Sequence, residues 1–211
     1  MGLTLDQPTS TVLHGVSWKS YLQLGEDAGP GTRMTYDNGT LEIMPPISIG
    51  HDRRKSTLAD LLTQYLIVRE VPYDRIGGTT LMREDLLKGT EPDEGFYINP
   101  DDTVPPPEAE ELDLAIHSPP NLVIEVDKTS TSIPREPIFA AMGVGELWRW
   151  KVSSNAIEIR LLDPGSETYA VATQSSVLPD LPMSALADHL RLASELRLSE
   201  VVGRWTQFLR A

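Results

Sequence analysis

The chain has 211 residues and a mass of 23.3 kDa, enough for one globular domain, and its 31 acidic and 18 basic residues give a formal charge of −13. Hydrophobic residues at 40% and charged residues at 23% exclude full-length disorder and a collagen-like fibre. The absence of cysteine excludes disulfide staples, thiol nucleophiles and cysteine-ligated metal centres, and the acidic balance disfavours broad polyanion binding.

In chain order, Trp18, Tyr21, Leu22 and Leu24 make one face of a short amphipathic helix, and Gly25 to Gly31, with three glycines and a proline, should break it. A hairpin follows. Asn38-Gly39 supplies the positive φ angles of a tight turn between Thr32–Tyr36 and Thr40–Met44, and Pro45-Pro46 ends the second strand. Leu58, Leu61, Leu62, Tyr65 and Leu66 predict a helix over His51–Glu70. Its first turns carry Arg53, Arg54 and Lys55, either a solvated basic turn or a phosphate-contacting patch. His51 either caps or fringes this helix or approaches the acidic residues described below.

Strands are expected at Thr79–Arg83, Gly95–Ile98, Leu122–Val126, Glu146–Trp150, Ile157–Leu162 and Thr168–Ala172, with a proline- and acid-rich loop over Asn99–Ser118. Trp148-Arg149-Trp150 reads as sheet core alternating with an exposed arginine. The tail from Pro182 to Leu209 reads as two helices. The mixture predicts α/β or α+β architecture, a central sheet flanked by helices. No apolar run approaches the roughly 18–20 residues of a membrane span, and Met1–Val12 has no signal-peptide pattern, so a cytoplasmic protein with no membrane partner is expected.

Strands destined for burial exclude charge unless it is paired or ligates something. Here the apolar run Leu122-Val123-Ile124 leads into Glu125-Val126-Asp127, whose two acids share one face. Upstream, Pro92-Asp93-Glu94 opens the strand Gly95–Ile98, and neighbouring strands would bring Asp93 and Glu125 together. Clustered carboxylates call for a compensating charge. A hard divalent ion such as Mg²⁺ needs only a few of them, and Lys128 follows directly with an ammonium. The bland alternatives are a turn-forming Asp93, a salt-bridged Glu125, a helix-capping Asp127 and a surface Lys128.

The strings Tyr36-Asp37-Asn38-Gly39-Thr40-Leu41-Glu42-Ile43-Met44-Pro45, Glu91-Pro92-Asp93-Glu94-Gly95-Phe96-Tyr97-Ile98, Leu112-Asp113-Leu114-Ala115-Ile116, Pro120-Asn121-Leu122-Val123-Ile124-Glu125-Val126-Asp127 and Gly143-Val144-Gly145-Glu146-Leu147-Trp148-Arg149 occur in this order. Together they resemble the Uma-two-type restriction endonuclease family, a bacterial branch of the PD-(D/E)XK nuclease superfamily. The resemblance spans nearly the whole chain.

It implies a restriction-endonuclease-like core with a mixed sheet of about four or five strands between helices. The chain would be a single such domain over 1–211, with residues 1–30 as an N-terminal extension and 182–211 as a C-terminal helical segment. It further implies that Asp93 and Glu125 are the motif acids and that Glu42 joins the metal site. Asp127 stands where the superfamily carries lysine, and Arg135 is the leading candidate for a migrated cation, with Lys128 second.

The implied activity is Mg²⁺- or Mn²⁺-dependent hydrolysis of DNA phosphodiester bonds by a homodimer. The metal ligands would be Glu42, Asp93, Glu125 and Asp127, the charge stabiliser Arg135 or Lys128, and the DNA contacts Arg53, Arg54 and Lys55. The competing expectation is a non-catalytic nucleic-acid-binding or regulatory module on the same fold, which the charge of −13 and the missing lysine favour.

Overall fold

The computed structural model describes residues 10–29, 31–101, 103–109, 112–127, 133–163 and 165–211. It contains two sheets. The smaller is built from β1 (Thr11–His14), β2 (Met34–Asp37), β3 (Thr40–Ile43), β5 (Leu81–Arg83) and β6 (Lys88–Thr90), antiparallel in the order β1-β3-β2-β6-β5. The larger runs β11-β10-β9-β8-β7-β4, from β4 (Tyr73–Arg75), β7 (Glu94–Ile98), β8 (Leu122–Asp127), β9 (Glu146–Lys151), β10 (Ala156–Asp163) and β11 (Thr168–Ala172). Only β8 and β9 are parallel in it, joined by a crossover through α3 (Glu136–Ala141). The other helices are α1 (Trp18–Ala28), α2 (Ile49–Val68), α4 (Met183–Leu192) and α5 (Leu198–Arg210).

The architecture is the α+β class expected, with six strands in the central sheet and the early hairpin placed in a second one. Asn38 and Gly39 turn the β2–β3 hairpin with φ of 46° and 86°, as a two-residue primed turn demands. Helix α1 outlasts its expected break. It runs through Gly25 and stops at Gly29, whose φ of 71° a helix does not admit. The short strands β1, β4 and β6 have no counterpart among the expected ones.

The central strands are covered on both faces. Leu122, Ile124 and Val126 point into a core with Leu58, Leu62 and Trp205, whereas Val123 and Leu147 pack with Ile138 and Phe139 of α3. As expected, Trp148 and Trp150 lie in the core; Arg149 between them is half-buried and faces Glu136. Among the described residues no helix is long and apolar enough to cross a membrane.

The smaller sheet has its own core of Tyr21, Met34, Tyr36 and Leu41. Tyr21 stacks on Tyr36 at 4.9 Å between centroids and lies directly over Gly89 of β6. A Cβ at position 89 would meet Tyr21 Oη at 2.3 Å and Cζ at 2.8 Å. Gly89→Ala should therefore destabilise the protein by about 1–3 kcal/mol through overpacking. Urea denaturation of the single variants and of the double variant with Tyr21→Ala measures this, and a strongly favourable coupling is expected.

Candidate active site

Five carboxylates are buried among the described residues: Glu42 of β3, Asp93 just before β7 and Glu125 of β8 are 1%, 2% and 5% exposed, and Glu94 and Glu146, held by Arg75 and by Trp148 and Ser176, are the other two. Acids so buried require compensation. The β7–β8 register pairs Glu94 with Ile124, so one step further it sets Asp93 opposite Glu125. The strands that carry Asp93 and Glu125 are therefore neighbours in one sheet, as the sequence reading expects.

Each acid has donors on it. Asp93 Oδ1 accepts from Arg33 Nη1 at 2.9 Å, and Oδ2 accepts from the Val126 N–H at 2.8 Å. His51 Nε2 lies 3.3 Å from the same Oδ2 and 3.2 Å from the Val126 carbonyl. A carbonyl only accepts, so the Nε2 of His51 carries the hydrogen. Burial pushes the Asp93 carboxyl up, but the His51 hydrogen bond, the Arg33 guanidinium and the Val126 N–H outweigh it and hold the group well below the usual carboxylate range.

Glu125 is ion-paired with Arg135, the residue preceding α3. Glu42 Oε2 accepts from the Ile133 N–H at 3.0 Å, which brings the hairpin acid to the segment that leads into Arg135. Glu91 lies beside both arginines. Burial raises its carboxyl above the ordinary value, with Arg33 opposing that shift.

Other expected participants stand elsewhere or apart. Asp127 ends β8, in parallel register with Lys151, and Lys128 lies outside the described residues. On α2, Arg53 is exposed, Arg54 donates to the Gly50 carbonyl at 3.0 Å, and Lys55 faces Asp52 at 3.7 Å. Their helix reaches the acids through His51, two residues before Arg53. Arg75 and Arg83 are engaged elsewhere, the first on Glu94 and Asp60, the second on Asp85.

His51 resolves toward the acids: the α2 cap is the Ser48 hydroxyl, which accepts from the His51 N–H, while the imidazole turns inward. Arg33 was not marked by the sequence. It sits one residue before a short hairpin strand, where no periodic pattern distinguishes it from a surface cation.

The donor chemistry suits a hard divalent cation, which takes carboxylate oxygens and is satisfied by one or two of them plus water. Asp93 and Glu125 meet that minimum on facing strands. Among the described residues no group of three or more His, Asp or Glu side chains is placed to hold a metal ion.

Residues 18–193 match the sequence model of the family described as "Uma2: Putative restriction endonuclease". The chain belongs to this family. The Uma2 match runs from α1 to just past α4 and includes every acid and arginine of the buried cluster; α5 follows it. Among solved structures, the fold is similar to a crystal structure described as "a putative nuclease belonging to DUF820 from Anabaena variabilis ATCC 29413". That comparison has a TM-score of 0.55 at 15% identity and covers 90% of this chain and 99% of the other. A search of curated proteins gave no match. The Uma2 assignment and the nuclease-like fold agree with the resemblance read from the motif strings.

Proposed function

We propose that this Uma2-family protein is a divalent-metal-dependent endonuclease that hydrolyses DNA phosphodiester bonds. The observation that supports the reading is that Asp93 and Glu125, both buried and carried by the paired strands β7 and β8 or their ends, are each engaged by an arginine, Arg33 on the first and Arg135 on the second. Structural burial of two adjacent acids costs free energy that an apolar pair would not, and nuclease chemistry gives such a cluster a use.

Asp93 and Glu125 would hold Mg²⁺ or Mn²⁺, with Glu42 and Asp127 as neighbouring acids. When bound, the ion supplies Lewis-acid polarisation of the phosphoryl group and activation of water. The protein's own part is orientation and charge. Arg33, His51 and the Val126 N–H keep Asp93 ionised and aimed. Arg135 stays protonated at any working pH, so it stabilises negative charge and does not act as a base. Arg53, Arg54 and Lys55, on the helix that carries His51, would contact the DNA backbone. Cutting both strands of a duplex would use two copies related by a two-fold axis.

A second reading, a DNA-binding or regulatory module without cleavage, is favoured by Asp127 in place of the superfamily lysine and by the engagement of Arg75 and Arg83 in internal pairs.

Metal binding is tested by melting. At an ion concentration of about 100 times Kd, binding to the native state adds about 2.7 kcal/mol. For a domain of this size that raises Tm by about 5–10 °C. Millimolar Mg²⁺ or Mn²⁺ should produce this rise in the wild type and none in Glu125→Gln. An equal rise in both would place the ion elsewhere.

A further inference from the structure

Arg33 and Arg135 converge on a single backbone oxygen. The Glu91 carbonyl accepts from Arg33 Nη2 at 2.8 Å and from Arg135 Nη1 at 3.2 Å. From this shared anchor each arginine reaches a different acid, Arg33 to Asp93 and Arg135 to Glu125. Their side chains are 11% and 14% exposed, so these are interior pairs and not surface ones. Two like charges held this close repel each other, and the surrounding carboxylates keep them there.

The two arginines are anchored differently. Arg33 directly precedes β2, and its Nε also faces Glu91 Oε2 at 3.9 Å. Its partner Asp93 is aimed independently by the Val126 N–H and His51. Arg135 instead precedes the six-residue helix α3 and makes no capping bond there with its side chain.

Resting on the metal-dependent nuclease reading, we propose that a divalent cation bound at Asp93 and Glu125 displaces Arg135 from Glu125, while Arg33 remains on Asp93 as a positioning residue. A guanidinium and a dication compete for the same carboxylate and repel one another across it. Arg135 cannot relieve this by losing its proton. A phosphodiester at the site gives the released guanidinium a new anion whose paired oxygens match its planar fork. Metal loading and phosphate recognition are therefore ordered, with the metal first. Arg135 is the exchangeable counter-ion that links them.

The test is calorimetric titration of Mn²⁺ into the EDTA-stripped full chain. Arg135→Gln keeps a hydrogen-bond donor but removes the charge, and it should bind Mn²⁺ about tenfold more tightly than wild type, the order expected for removing one neighbouring positive charge. Arg135→Lys restores the charge and should return affinity toward the wild-type value. Arg33→Gln should tighten binding much less than Arg135→Gln, because Arg33 stays on Asp93 when the metal binds and is not the group that the metal displaces. A wild-type measurement covers the case in which Arg135→Gln does not fold. On Mg²⁺ addition the Arg135 Nη protons should lose protection from solvent exchange in nuclear magnetic resonance spectra, while those of Arg33 should keep it.

Unchanged or weaker binding by Arg135→Gln, or Arg135 Nη protons that stay protected, overturn the exchange while metal binding by the wild type leaves the nuclease reading intact. Equal tightening in the Arg33 and Arg135 variants overturns the division of roles. A wild type that binds no Mn²⁺ overturns both this inference and the reading beneath it.

Discussion

Asp93→Asn and Glu125→Gln should each lower the rate of metal-dependent plasmid cleavage by about 10²–10³, the usual effect of removing one preorganised charge from a catalytic site. Each substitution keeps the side chain's size and removes one formal charge from an interior cluster in which both acids are at most 5% exposed. The two losses should not add, because the acids would serve one ion and removing either disables the same unit. Each variant also leaves an arginine without its counter-charge, Arg33 in one case and Arg135 in the other. Melting curves therefore accompany the assay, and rates are compared below the lowest midpoint. Arg53→Ala should instead weaken DNA binding and reduce its salt dependence, since a backbone contact releases a counterion and carries no chemistry. Retention of full cleavage by both acid variants would remove Asp93 and Glu125 from the reaction.

The largest expected effect on stability lies at Trp205. Its side chain is fully buried between α5 and the rest of the core, and its Nε1–H donates to the Leu61 carbonyl of α2 at 2.8 Å. Trp205→Ala removes that bond and opens a large cavity, for a loss of about 3–5 kcal/mol in denaturant unfolding. Helix α5 follows the segment that matches the Uma2 family, yet it packs on α2, the helix that carries His51 to Asp93. Loss of this support should disturb the site as well as the fold. Removing residues beyond 193 should have a comparable effect, because it uncovers the α2 face that Val201, Trp205 and Leu209 cover.

The sequence reveals some of this architecture better than the rest, for identifiable physical reasons. Asn38-Gly39 has a short-range signal because few other residue pairs accept two successive positive φ angles. Asp93 and Glu125 stand out because charges at or within apolar strands violate the burial rule, and both are buried at the paired strands β7 and β8. The short strands are much less visible. Lys88-Gly89-Thr90 of the smaller sheet and Tyr73-Asp74-Arg75 at the edge of the larger one are three-residue polar strands, too short to show alternation, and they are held by pairing with distant partners. Arg33 is hidden for a related reason. A lone arginine before a strand has no local signature, and its role depends on a contact 60 residues away. The basic patch shows the converse limit. Composition counts Arg75 and Arg83 as available cations, but both are engaged by acids of their own chain.

The most direct test of the central claim is incubation of the EDTA-stripped wild-type protein with supercoiled plasmid DNA, with and without Mg²⁺ or Mn²⁺, followed by gel separation of the products. Nicked and linear products are expected with either ion, intact plasmid in EDTA, and recovered cleavage when the ion is restored. Plasmid that the protein binds but leaves intact across both ions would contradict the nuclease account and support the non-catalytic DNA-binding reading.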